Sequence, residues 1–347
     1  IRTEGALLPP GLLKRLREPK NGLPGTDDTA YHVHPPRRLS EAISEAWNTL
    51  QGTWTSYRDA RDRLAESDTG TTLTRDRWLQ PLFQTLGYGR LLTRAAVTID
   101  GVTYPISHGW NHVPIHLVSY RIDLDRRTAG IAGAARTSPH GLVQGFLNAT
   151  DASLWGIVSN GHRLRLLRDH HALTRQSFVE YDLEAMFDGE VYADFVLLYL
   201  TLHQSRLEAE KPTDTILEQW ATAAREHGTR ALDRLRDGVE RALKTLGQGF
   251  LDHPTNGVLK QRLRNGDLPS VDYYRQLLRL VYRLLVLFAA EDRDLLHPPD
   301  TTPEARDRYT HYGTRHLRHV ADNVRGGAHP DRYETFKRLT GWLGRDG

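Results

Sequence analysis

The chain has 347 residues, 39% of them hydrophobic and 26% charged, proportions that support two or three packed units and argue against disorder. It has no cysteine, which excludes disulfides, thiolate catalysis and every cysteine-ligated zinc or iron–sulfur site, and leaves histidines and carboxylates as the available metal ligands. No apolar run approaches the ~20 residues of a membrane span, and the first residues show no charged stretch leading into an apolar one, so a cytoplasmic protein without a membrane partner is expected. The net charge of +3 does not by itself identify a nucleic-acid partner. Only six cations are lysine (Lys14, Lys20, Lys211, Lys244, Lys260 and Lys337) and the rest are arginine, whose planar fork suits phosphate and guanine. A compositional bias of the genome would produce the same excess.

Residues 1–37 are rich in Pro and Gly and read as an extended arm with one short helix near Leu12 to Arg17, of the kind that wraps a neighbouring surface. From Arg38 to Glu66, Leu39, Ile43, Trp47, Leu50, Trp54, Tyr57 and Leu64 recur mostly at threes and fours, which predicts a long amphipathic helix started at Ser40-Glu41 and interrupted near Gly52. A helix over 75–87 leads into a hairpin, Val97-Thr-Ile-Asp-Gly-Val-Thr-Tyr104, and then a second apolar run, Pro114-Ile-His-Leu-Val-Ser-Tyr120. A helix over 139–148 follows. Two strands then flank Ser159-Asn160-Gly161, a turn whose chemistry demands positive φ. Helical periodicity returns over 191–207, 213–226, 229–251 and 271–292, with a domain junction expected near Glu208 to Thr213, where Pro212 breaks the pattern. The expected fold class is therefore α+β and mostly helical: an arm (1–37), a helix plus α/β domain (38–185) and a helical connector domain (190–347).

The order helix, three strands, helix, strand pair over Leu73 to Asp169 resembles the skeleton of a nuclease fold. A metal-dependent nuclease of the PD-(D/E)xK kind needs an acid at the end of the second strand and an acid-x-lysine triplet on the third, to hold Mg²⁺ and position water. The corresponding places read Ile106-Ser-His108 and Val118-Ser-Tyr120, and no lysine occurs between Lys20 and Lys211, so the unit is expected to be degenerate and no catalytic residue is assigned. The alternative is an active endonuclease using Asp100, Asp123, Asp125 and histidines. His108, His112 and His116 are spaced by four, but Pro105 and Pro114 place them on a strand-loop-strand path, where that spacing does not align metal ligands. His170-His171 is a weaker pair, and Ser159-Asn160-Gly161 is not a nucleophile elbow.

Arg163 and Arg165 alternate with Leu164 and Leu166, so this strand either lies against a phosphate backbone or shows ordinary inside-outside alternation. In the late helix Val271, Tyr274, Leu278, Val281, Leu285 and Phe288 form an apolar stripe expected to be core. Arg275, Arg279 and Arg283 form a separate stripe that either serves DNA or is neutralised by Glu291, Asp292 and Asp294 or by acids on another helix.

Two stretches, Trp155-Gly-Ile-Val-Ser-Asn-Gly-His-Arg-Leu-Arg-Leu-Leu167 and Tyr282-Arg-Leu-Leu-Val-Leu-Phe-Ala-Ala-Glu-Asp-Arg-Asp-Leu-Leu296, resemble landmarks upstream of the catalytic domain in type IIG-like restriction-modification methylases, including the adenine methyltransferases of DISARM- and BREX-type phage-defence systems. Tyr104-Pro-Ile-Ser-His108, Pro114-Ile-His116 and Ser138-Pro-His-Gly-Leu142 add to the resemblance, which covers roughly Arg38 to Leu296. Such enzymes carry an Asn-Pro-Pro-Tyr-like motif and a Gly-rich cofactor motif; this chain has neither, and His297-Pro-Pro-Asp300 lacks the flanking residues. The resemblance therefore implies a non-catalytic N-terminal module with double-stranded DNA and other defence subunits as partners. It implies no cofactor in this chain, with S-adenosylmethionine belonging to a methyltransferase domain expected after Gly347.

Overall fold

The computed structural model describes residues 1–5, 7–18, 21–131, 133–169, 177–323 and 331–343. The fold is α+β, divided into two compact units, Ile1–Arg230 and Ala231–Gly347.

In the first unit β1 (Arg2–Glu4) and α1 (Pro10–Leu16) precede the amphipathic helix α2 (Leu39–Asp62), which runs through Gly52 without a break. The next helix begins before Arg75: α3 (Thr71–Thr74) passes through a π-helical stretch, Arg75–Leu79, into α4 (Gln80–Thr85). Then come β2 (Leu92–Thr93), β3 (Val97–Ile99), β4 (Val102–Tyr104), β5 (His108–Trp110), β6 (Val113–Leu117), α5 (Pro139–Asn148), β7 (Trp155–Ser159), β8 (Arg163–Arg168) and β9 (Phe178–Asp182). Helices α6 (Leu183–Asp188), α7 (Tyr192–Leu202) and the start of α8 (Ile216–Asp252) complete the unit.

The main sheet has the order β1-β9-β8-β7-β6-β5-β2. All its pairs are antiparallel except β6 and β7, which α5 connects in parallel. Ser138 caps α5 by accepting from the Gly141 amide, and Pro139 at the first helical position has no amide to leave unpaired. The expected hairpin at 97–104 forms around Asp100 and Gly101, both at positive φ. It does not supply strands to the main sheet, however. Val97, Ile99 and Tyr104 pack with Ile106, Leu142 and Phe146, so the hairpin is held beside α5 as a separate two-stranded sheet. The three strands preceding α5 in the main sheet are instead β2, β5 and β6, of which the sequence showed only β6.

The core lies between the sheet and α2, α4, α6 and α7. Trp54, Trp78 and Phe187 meet edge to face or stacked, with the Trp78 ring 4.9 Å from each of the other two, and Trp78 Nε1 donates to the Gly161 carbonyl at 2.8 Å. Gly161 is at φ +85°, and an added Cβ would lie 2.6 Å from the Thr74 methyl, so both the backbone and the space require glycine. Trp78→Ala is expected to cost about 3–5 kcal/mol in urea unfolding, because it opens a cavity and orphans that carbonyl. A loss below about 1 kcal/mol would refute the packing described.

The Pro/Gly-rich arm is part of this unit. β1 pairs with β9, and Leu12, Leu13 and Leu16 are buried in the main core. The buried Arg206 guanidinium donates to the Gly25 and Ala30 carbonyls and lies 3.8 Å from the Tyr31 ring, while Tyr31 donates to the Leu200 carbonyl. The stretch 208–213, where a junction is expected, lies within the unit, which continues to Arg230, and a 3-10 turn follows at Pro212–Asp214. The cause is at the start of α8: Leu217, Trp220 and Ala221 join the main core, and Arg168 binds Glu218 through two bonds of 2.7 Å.

The second unit contains the remainder of α8, then α9 (Gly257–Asn265), α10 (Ser270–Asp292), α11 (Pro303–Tyr312), α12 (Thr314–Asn323) and α13 (Asp331–Leu343). Tyr273 donates to the Gly247 carbonyl at 2.8 Å, and Gly247 approaches Leu277, which fixes the side of α10 that meets α8. The α10 stripe expected to be core is mostly exposed: Val281 is buried and Phe288 half-buried, while Val271, Tyr274, Leu278 and Leu285 face solvent, and the other buried residue of the helix, Leu277, lies outside the stripe. Among the described residues no helix is long and apolar enough to cross a membrane.

Candidate nucleic-acid interface

Strand β8 places Arg163 and Arg165 on one face, and the structure separates their fates. Arg163 is exposed, stands opposite Asp182 on β9, and acts on Asp125 through its field alone. Arg165 is 1% exposed. Its guanidinium grips Asp125 through bonds of 2.6 and 2.7 Å, donates from Nε to Glu180 at 2.5 Å, and lies 4.6 Å from the Phe178 ring. His140 Nδ1 is 3.2 Å away, and this places a proton acceptor rather than a donor toward the cation. Arg165 is therefore an internal clamp that ties the loop before α5 to the sheet, and it does not face DNA. Its field, through hydrogen bonding first, holds the Asp125 carboxyl below its ordinary range.

The three carboxylates of the endonuclease alternative are dispersed. Asp100 sits in the β3–β4 turn, Asp125 is bound to Arg165, and Asp123 accepts from the Asp125 amide and faces Arg126. The three histidines also separate. His108 is on β5, His112 is in the turn, and His116 on β6 takes the opposite face because it follows Ile115, the partner of His108. His116 Nδ1 accepts from the Ser107 amide at 3.3 Å, so its proton is on Nε2, which donates to the Gly133 carbonyl at 3.1 Å. Among the described residues no group of three His, Asp or Glu is arranged to hold a metal. His170 and His171 lie outside the described residues.

Beside β2 and the start of β5 a cleft of about 630 Å³ opens next to α3 and α4, lined by Thr72, Arg75, Asp76, Gln84, Arg90 and His108. Arg75 Nε donates to the Leu117 carbonyl at 2.8 Å, and His108 Nδ1 meets Ser107 Oγ at 2.8 Å. Burial, reinforced by Arg75, pushes His108 down to about 4, so at neutral pH a neutral imidazole stands beside a cationic guanidinium. The cleft offers hydrogen-bond donors and one carboxylate, Asp76, to whatever enters it. Sequence reasoning missed Arg75 and Asp76. Their only signal is a position in the first turns of the helix that leads into the strands.

In the second unit, taken by itself, Arg275, Arg279 and Arg283 are exposed on the side of α10 away from Leu277 and Val281. Arg275 pairs with Asp272 at 3.0 Å, while Arg279 and Arg283 have no carboxylate partner among the described residues. The acids at the helix end are engaged elsewhere: Asp292 with Arg315 and Arg318, Asp294 with Arg306, and Glu291 with Thr314. They do not neutralise the stripe. No family model matches the chain, and neither the curated proteins nor the solved structures include a match to it.

Proposed function

We propose that this chain is a non-catalytic, DNA-contacting module of a restriction-modification or phage-defence DNA adenine-N6 methyltransferase of the cytoplasm. The observation that carries this reading is the α10 stripe: Arg279 and Arg283 project from the face opposite the packed side and lack carboxylates, among the described residues, to offset their charge. Exposed guanidiniums spaced one helical turn apart match the repeating phosphates of a duplex better than any neutral surface does. Arg163 on the first unit adds a further exposed cation.

The degenerate-nuclease aspect is supported by connectivity and by residue type. A helix and the strands β2, β5 and β6, with the β3–β4 hairpin inserted after β2, precede α5 and a strand parallel to β6, and no lysine occurs between Lys20 and Lys211 to serve the triplet that such an enzyme needs on its third strand. Transfer of a methyl group from S-adenosylmethionine would belong to a separate domain bearing the motifs this chain lacks, with this module holding DNA and partner subunits.

Fluorescence anisotropy with a labelled duplex across a salt series, in the presence of Mg²⁺, tests the reading. Affinity is expected to fall steeply with salt, and Arg279→Ala with Arg283→Ala is expected to lower the slope of log K against log salt by about 2. The duplex should stay intact on a denaturing gel. Cut DNA would replace this reading with an active endonuclease, and salt-insensitive or absent binding would remove DNA as the partner.

A further inference from the structure

In the first unit, the cleft next to α3 and α4 holds hydrogen-bond donors that the fold leaves unused. The Arg75 guanidinium is half-buried and spends Nε and Nη2 on the Leu117 carbonyl, which leaves Nη1 without a hydrogen bond among the described residues. His108 is 3% exposed. Its Nδ1 is 2.8 Å from Ser107 Oγ, which accepts from the Leu117 amide at 2.9 Å and lies 3.5 Å from the Leu117 carbonyl, so the hydroxyl proton goes to the nearer imidazole nitrogen. The proton of the neutral ring is therefore on Nε2, which has no partner among the described residues, and His108 lines the cleft together with the exposed Arg90. We propose that this cleft binds a phosphomonoester group, with Arg75, Arg90 and His108 as its donors.

Charge and oxygen count select that ligand. Neither arginine forms a salt bridge among the described residues; burial works against the Arg75 charge, and Asp76 offsets part of this through its field. A partly desolvated cation gains most from an anion that can reach it. The two arginines also outweigh Asp76, the one carboxylate of the lining. A carboxylate ligand offers two oxygens and a phosphodiester two free ones, whereas a monoester presents three oxygens to three donors. A divalent cation would find no group of three carboxylates or imidazoles among the described residues. The cleft's volume of about 630 Å³ lies in the range of small-molecule sites, so the group can be carried by a free nucleotide or by the 5′ end of a DNA strand. The inference concerns this cleft and does not rest on the α10 arginines.

Titration calorimetry on the full chain with inorganic phosphate, adenosine 5′-monophosphate and adenosine tests the site. Phosphate and the monophosphate are expected to bind, and adenosine is not. Arg75→Ala should abolish binding, but that side chain also holds the Leu117 carbonyl, so two exposed positions decide. Arg90→Ala is expected to weaken binding by about fivefold, and Asp76→Asn, which removes the opposing charge, to tighten it by about threefold, both with unchanged circular dichroism. A misfolded variant would not bind more tightly. No binding of either phosphate, equal binding of adenosine, or an affinity that Asp76→Asn leaves unchanged or lowers overturns the proposal. Where the monophosphate binds more tightly than a 5′-phosphorylated oligonucleotide, the site belongs to a free nucleotide; the reverse order gives it to a DNA end, and either supports a phosphomonoester site.

Discussion

Lowering the pH from 7 toward 4 is expected to unfold the first unit, and buried histidines are the reason. His108, His116, His140 and His203 are each at most 5% exposed, and burial pushes each down to about 4. In the unfolded chain they return to about 6.5. Between those values the unfolded state binds protons that the folded state refuses, so stability is complete above about pH 6.5 and falls as the pH drops toward 4. Each withheld proton costs on the order of 3 kcal/mol over that span, and four of them rival the ~5–15 kcal/mol that holds a typical domain together. Asp125 works in a different window: its lowered pKa contributes stability present above 3.8 that is lost only below it. Urea midpoints followed by tryptophan fluorescence should therefore decline between pH 6.5 and 5, before carboxylates titrate. A midpoint constant from pH 7 to 5 would show that these rings are not buried neutral.

Arg165→Ala is expected to destabilise the first unit by about 3–5 kcal/mol, since it leaves a carboxylate buried without its cation. Glu180 is 6% exposed and relies on Arg165 Nε, whereas Asp125 is half-exposed and can be taken up by water. Arg165→Met combined with Glu180→Leu is accordingly expected to recover most of the loss, because an apolar pair of similar volume fills the same space without desolvating charge. Urea denaturation of the single and double variants separates the outcomes. Equal losses would mean that the bonds to Asp125, not the stranded Glu180, dominate. DNA affinity of the double variant should match the parent, while Arg163→Ala should lower the salt slope by about 1.

These two arginines mark where sequence reading stops. They are two residues apart on one strand face and read alike in the sequence, yet one is solvent-facing and the other is among the most buried side chains of the molecule. The covering groups come from far along the chain: Asp125 is 40 residues away, His140 is 25 and Glu180 is 15. The α10 stripe fails in the opposite direction. Its periodicity correctly marks one apolar side, but periodicity records only that a side is apolar and not whether anything packs on it. The hairpin at 97–104 was legible because Asp100-Gly101 sets it locally, and its exclusion from the main sheet was not, because that depends on the affinity of Val97, Ile99 and Tyr104 for α5.

By itself the sequence determined the features set within a few residues: helix α5 behind its Ser138 cap, the turn at Asn160-Gly161, the amphipathic course of α2, and the lack of any cysteine chemistry. Only the tertiary structure decided that the arm is built into the first unit's core, that β2 and β5 join the sheet in place of the hairpin, that Arg165 is a clamp, and that Arg75 and His108 share a cleft. The division has a physical basis. Hydrogen bonds that cap helices and close turns span three or four residues, whereas the desolvation of a charge or a strand is set by whatever covers it from elsewhere in the chain.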